Sequence, residues 1–164
     1  MKKTLLVILV LFAAVTAKAQ WYVGCSLNGE FLDSYNNLNI NPDFGYTFEN
    51  APIALGLATS FGFRQEKLLD ERFHLDAIYV TPYLRYYFYE IDRFSFFTDL
   101  IGDIGAFGDH GWDVGLTAGV TFDLTEHWSA EFNYGWIGYE HYLDKGFTFN
   151  LYASTAKFTF NYNF

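Results

Sequence analysis

The chain has 164 residues, 22% of them aromatic, and carries 10 basic against 19 acidic residues. That length suits one domain with one core or one small barrel, and the acidic balance excludes a basic nucleic-acid footprint, so no nucleic-acid partner is expected. Cys25 is the single cysteine, which excludes an intramolecular disulfide and a Cys-based metal cluster.

The amino terminus reads Met1-Lys2-Lys3, then Leu5 to Val15 without a charge, then Ala17-Lys18-Ala19. A short basic region, an apolar stretch and a small-x-small site form the pattern of a secretory signal peptide. The apolar run is well short of the roughly 20 residues a spanning helix needs, which weakens the alternative of a membrane anchor. Cleavage is expected before Gln20, dividing the chain into a signal peptide, residues 1–19, and one barrel domain, residues 20–164. Losing Lys2, Lys3 and Lys18 leaves 7 basic residues against 19 acids, a net charge near −12. Cys25 lies several residues past the cleavage site, so it is read as a structural, buried or lipid-facing thiol rather than a lipidation site. No other segment has the length and apolarity of a membrane helix, and an inserted mature chain would have to insert as strands.

Period-two alternation then recurs along the chain. Strands are expected at Trp21 to Asn28 and Leu38 to Tyr46. In the next, Ile53, Leu55, Leu57, Phe61 and Phe63 alternate with Ala54, Gly56, Ala58, Ser60 and Gly62. From Ile78 to Phe88, the set Ile78, Val80, Pro82, Leu84, Tyr86 and Phe88 opposes Tyr79, Thr81, Tyr83, Arg85 and Tyr87. Phe94 to Ala106 is less regular, but one register puts Asp99 and Asp103 on the same inner face. Trp112 to Leu124 and Trp128 to Trp136 alternate apolar with small or polar residues, the even positions apolar in both. The carboxy terminus has the clearest pattern: Lys157, Thr159, Asn161 and Asn163 alternate with Phe158, Phe160, Tyr162 and Phe164. The total is eight strands.

Residues 40–46 echo residues 80–86, as though one hairpin were repeated. Pro42 and Pro82 cannot donate to a ladder and are read as bulges or weak points near the strand middles. Thr47 to Pro52, Glu90 to Arg93 and Thr125 to His127 are tight connections. Gly29 to Asn37, Glu66 to His74 and His141 to Gly146 are longer and charged, and only the link at Gly108 to Gly111 is short for the outer rim. Short turns on one rim and longer loops on the other match an outer-membrane barrel with periplasmic termini. A soluble barrel with an aromatic core is the alternative, but inner faces so rich in Gly, Ser, Thr and Asp would leave that core underfilled. The expected fold is therefore an all-β, eight-stranded antiparallel up-and-down transmembrane β-barrel.

The mature start Trp21-Tyr22-Val23-Gly24, the segment Thr81 to Phe88 and the terminal alternation ending on Phe164 together resemble the small outer-membrane barrel domains related to OmpA and OmpX, in the porin-family form common in Bacteroidetes. The resemblance spans nearly the whole mature chain. It implies a packed lumen, and a last strand read by the barrel-assembly machinery through Phe158, Phe160, Tyr162 and Phe164. It leaves function open, because relatives include anchors, adhesins and lipid-modifying enzymes.

The inward positions include Arg64, Arg85, Asp99, Asp103, Asp113, Asp123, Glu131 and Lys157. Eight strands leave an interior just wide enough for side chains, so charges there need partners or water. Arg85 is expected to pair with Asp99, Asp103 or Glu131 as a structural plug; the alternative is a gated ion path. Trp21 and Trp128 at strand starts and Trp112 at the opposite rim suit aromatic girdles at the two membrane interfaces.

A lipid A deacylase of this size would use a His-x-Ser pair with a downstream Glu, which His127, Ser129 and Glu140 mimic in spacing. His127 falls in a tight turn on the wrong rim for that substrate, and at the other rim Leu143 stands where His141 would need a serine. His74 and His110 are isolated, with too few convergent ligands for a metal. No cofactor, metal or catalytic residue is expected. The chain reads as a non-enzymatic, structural or surface-interacting monomer in contact with outer-membrane lipids and lipopolysaccharide. A narrow pore and a lipid-modifying enzyme are the alternatives.

Overall fold

The structure is a computed structural model that describes residues 20–31, 35–66, 74–108, 111–141, 145–151 and 156–164. The expected signal peptide, most of the Glu66 to His74 connection, and the readings made at His110 and Leu143 lie outside the described residues, whereas His74 opens β4 and is exposed. Nine strand segments are seen among them: β1 (Gln20–Phe31), β2 (Tyr35–Thr47), β3 (Ile53–Glu66), β4 (His74–Ile91), β5 (Phe94–Phe107), β6 (Trp112–Asp123), β7 (Trp128–His141), β8 (Lys145–Asn150) and β9 (Lys157–Asn163).

Each strand from β1 to β7 pairs antiparallel with the next. Both β8 and β9 pair with β7, along successive lengths of it, so they form one column. β9 also pairs with β1, through Tyr22↔Asn163 to Ser26↔Thr159, and closes the sheet. The result is an eight-stranded, closed, antiparallel up-and-down barrel. Over the length where β9 meets β1 the ring has no free edge, which is how a sheet satisfies its backbone without water, while the pairing seen for β8 is with β7. At the seam the Phe164 amide donates to the Trp21 carbonyl at 2.9 Å.

The strands run further than their alternation suggests. β1 and β2 together take in most of Gly29 to Asn37, and β7 continues to His141. β8 stands where the sequence reading ended a loop at Gly146 and expected no strand before Lys157. The turn between β4 and β5 is just Asp92 and Arg93, with Asp92 left-handed at φ 54°, a conformation that Asp tolerates better than most residues.

One expectation about register is narrowed and one is corrected. Of the two readings of the prolines, bulge or weak point, the second holds. Pro42 still pairs with Cys25 and Pro82 with Leu57. Toward the following strand the ladder merely skips, from Ile40↔Phe61 to Asp43↔Ala58 and from Val80↔Ile104 to Tyr83↔Ile101, with register kept. The missing N–H thus weakens one side of each strand without shifting it. Trp136 is not on the outward apolar face. Gly135 has φ +81°, and the β6–β7 ladder passes from Leu116↔Ile137 to Ala118↔Tyr134. The extra residue flips the parity of β7, so Trp136 turns inward and its Nε1–H donates to Thr148 Oγ1 at 3.0 Å.

The barrel is inside-out relative to a soluble protein. Leu55, Leu57, Leu84, Phe88, Leu100, Val114, Leu116, Phe158 and Phe160 are exposed on the outside, while Ser26, Asn41, Arg85, Asp99, Ser129, Glu131, Thr159 and Asn161 are buried. Large inner side chains fit because glycines face them. Tyr22, Gly45, Gly56 and Tyr83 form one cross-strand row over β1 to β4. A Cβ at Gly45 would overlap the Tyr22 ring, and one at Gly56 the Tyr83 ring. The two phenols lie over the paired glycines and their hydroxyls meet at 2.5 Å.

Gly45→Ala and Gly56→Ala should each destabilise the folded barrel by about 1–3 kcal/mol through overpacking, whereas Gly146→Ala, where a Cβ meets nothing within 4 Å, should be close to neutral. Urea unfolding in lipid micelles, followed by gel migration of unheated samples, checks this.

Candidate functional site: the ion-pair plug of the lumen

Midway along β4, alternation turns Arg85 into the lumen directly opposite Asp99 of β5. Its guanidinium is bidentate on that carboxylate, with Nε to Oδ1 at 2.7 Å and Nη2 to Oδ2 at 2.8 Å. The same group crosses the lumen to Glu131 of β7, donating from Nη1 to Oε2 at 2.5 Å and from Nη2 to Oε1 at 2.7 Å. Four of its five N–H donors are therefore committed to carboxylates, the fork geometry for which arginine is suited. Phe97 provides a floor, its ring centroid 3.6 Å from the Arg85 Cζ, and Tyr83 and Tyr87 stand farther off at 5.5 and 5.9 Å. Contact of a cation with an aromatic face adds to the hold.

The carboxylates have further donors. Asn133 Nδ2 reaches Asp99 Oδ2 at 3.3 Å, and Asn161 Nδ2 reaches Glu131 Oε2 at 3.2 Å. Arg85, Asp99 and Glu131 are 3–4% exposed. A charge so buried is costly unless it is paired and its remaining hydrogen-bonding capacity is met, and here both conditions hold. The side chains of β4, β5, β7 and β9 are joined in one brace.

Asp103, expected in the same network, stands apart from it: it is bonded by the Thr81 hydroxyl, because four residues along β5 carry it away from the guanidinium toward the other rim. Lys157 lies within electrostatic reach of Asp43, Asp103 and Glu131. Two cavities flank the brace. One, of about 490 Å³, opens at the rim with the short turns and is lined by residues including Gln20, Tyr22, Glu49, Asp123 and Asn163. The other, of about 250 Å³, lies on the opposite side and is lined by residues including Asp43, Thr81, Asp103, Trp136 and Lys157. Arg85 and Glu131 line both, so the brace is the partition between them.

Tyr22, Asp43, Phe97, Asn133 and Asn161 were not singled out in the sequence. Asp43 had one signal: in the 40-residue echo it aligns with Tyr83, and Tyr83 Oη donates to both Asp43 oxygens at 3.0 Å. This one echoed pair meets inside the barrel.

The imitation of a hydrolase triad is not assembled. His127 Nδ1 bonds the Asn163 carbonyl at 3.1 Å, Ser129 is buried with Asn163 Nδ2 at 3.5 Å, and Glu140 accepts from Thr148 at 2.7 Å. Ser129 and Glu140 are eleven positions apart on β7, roughly 35 Å at the rise of a strand. No group of three or more His, Cys, Asp or Glu side chains able to hold a metal ion occurs among the described residues.

Trp21, Trp112 and Trp128 lie where strands begin. Trp21 stacks on Phe44 and meets Tyr46 edge-on, and Trp128 packs on Tyr162. Trp112, at the other rim, stacks on His141 at 5.0 Å. Phe158, Phe160 and Phe164 of the closing segment face outward and are exposed.

No protein-family model matches the chain, and no curated protein matches it. Among solved structures it is similar to the Yersinia pestis outer membrane protein Ail in a phospholipid bilayer nanodisc, at 17% identity and a TM-score of 0.48, over 89% of this chain and 98% of that one.

Arg85→Ala should destabilise the barrel by about 3–5 kcal/mol, because it strands two buried carboxylates. The triple replacement Arg85→Met, Asp99→Asn, Glu131→Gln should recover much of that loss. Denaturant midpoints of the folded proteins in lipid micelles compare the two.

Proposed function

We propose that the chain is an outer-membrane barrel with a closed interior, serving as a structural or surface-interaction scaffold and not as an enzyme. The observation that carries this reading is the brace itself: a guanidinium bonded to carboxylates from two walls of the lumen, inside a cylinder whose outer face is apolar. In water such an exterior would be an aggregation liability; against lipid it is the expected face. β1 to β7 run 12 to 18 residues, against about 9–11 needed to cross a bilayer, so their ends extend past the hydrocarbon.

In this reading the short-turn rim and both termini of the mature chain are periplasmic, and the opposite rim is the interacting surface. Trp21 and Trp128 sit at one membrane interface and Trp112 at the other. Lipids and lipopolysaccharide contact the exterior, and the barrel-assembly machinery reads Phe158, Phe160, Tyr162 and Phe164. The closed barrel works as a monomer. The second reading, a narrow pore, draws support from the two cavities, which lie on either side of the brace.

In a Gram-negative host the protein should fractionate with the outer membrane and migrate faster on gels before heating than after. Planar-bilayer recordings should lack discrete conductance steps; steps in the unmodified protein would overturn the closed reading in favour of the pore. The mass of lipid A should be unchanged on overexpression, and loss of an acyl chain would overturn the non-enzymatic assignment.

A further inference from the structure

Beside the brace runs a second connection between the two cavities. Tyr22 lines the cavity at the short-turn rim, and Asp43 and Tyr83 line the opposite one. Tyr22 and Tyr83 share a hydrogen bond of 2.5 Å, and Tyr83 donates to Asp43 at 3.0 Å. With Asp43 ionised, its carboxylate only accepts. The single Tyr83 proton is then committed to Asp43, so Tyr22 is the donor to Tyr83. All three groups therefore form one directed chain, and its two ends stand in different cavities.

We propose that Tyr22, Tyr83 and Asp43 form a proton relay through a lumen that the Arg85 brace closes to ions. A salt ion crossing at this level would have to break Arg85 from its carboxylates and shed its own water, at an effective cost of several kcal/mol. A proton needs no such opening, because each oxygen lies within about the donor–acceptor distance over which protons are handed between groups.

The transfer balances without any redox partner. A hydronium in the first cavity gives a proton to Tyr22 Oη as the Tyr22 proton moves to Tyr83 Oη and the Tyr83 proton moves to the Asp43 carboxylate. Asp43 then releases its proton to water in the second cavity. One O–H bond forms and one breaks at each phenol, and rotation of the two hydroxyls resets the chain.

Gly45 and Gly56 are what permit this contact. The rings lie over positions that carry no side chain, which lets phenols from β1 and β4, three strands apart, touch. The relay rests on the closed-lumen reading, and the test separates the two.

The full mature chain is reconstituted in phosphatidylcholine–phosphatidylglycerol liposomes holding pyranine, with valinomycin and potassium clamping the voltage, and a step of external pH is applied. Proton entry should be several-fold faster than in protein-free liposomes, while chloride flux, read by entrapped lucigenin, stays at background. Tyr83→Phe and Tyr22→Phe should bring proton entry down to background. Tyr86→Phe, an outward tyrosine that is 49% exposed, should leave it unchanged. Each variant is used after unheated gel migration shows it folded, and Asp43→Asn replaces any tyrosine variant that does not fold. Proton entry equal to that of protein-free liposomes, or undiminished in the folded variants, overturns the relay and leaves the closed lumen standing. Chloride flux above background overturns both, since protons would then cross with water through an open lumen.

Discussion

Arg85 carries a charge that it cannot shed, and it is held in the middle of a cylinder barely wide enough for side chains. The rest of the lumen is arranged around that constraint. Asp99 supplies the nearest carboxylate because register places it directly opposite on the next strand. Glu131 supplies the second from the far wall, Phe97 closes the open face of the guanidinium, and Asn133 and Asn161 meet carboxylate oxygens. The brace thereby ties strands distant in sequence, 46 residues apart for Arg85 and Glu131. It also partitions the interior.

Space is the second constraint, and glycine answers it. Four large inner rings lie over glycine: Tyr22 over Gly45, Tyr83 over Gly56, Phe97 over Gly119, and Trp136 over Gly115 and Gly138. Interiors pack at close to crystal density, and in so narrow a barrel a ring gains room where the neighbouring strand gives up a side chain. The inner face rich in Gly, Ser and Thr is therefore not underfilled. It is filled by a few rings and one ionic cluster. The space that remains is in the two cavities on either side of the brace.

Much of the architecture was legible in alternation. Polar and apolar residues one apart on a strand must face opposite sides, which was enough to place Arg85, Asp99 and Glu131 inward and Phe158, Phe160 and Phe164 outward. The same pattern was present and passed over in Lys145-Gly146-Phe147-Thr148-Phe149-Asn150, which repeats the polar–aromatic rhythm of β9 and forms β8. Gly135 hid the change of face at Trp136, because a bulge adds a residue without altering composition, and nothing local distinguishes it from an ordinary strand glycine. At the prolines a missing donor allows a bulge or a weak point, and the structure has the weak point: one ladder skips while the other keeps its register.

By itself, then, the sequence determined an all-β chain of strands with an aromatic exterior and a charged, small-residue interior, because side-chain direction in a strand follows from a period of two. Tertiary structure decided which inward groups meet. Closing the ring brought Glu131 to Arg85 and left Asp103 to Thr81; it also laid Tyr22 against Tyr83 and Tyr83 against Asp43. Those contacts run between strands whose relative stagger is set by pairing and closure, and a one-residue slip would have turned every one of them to the other face.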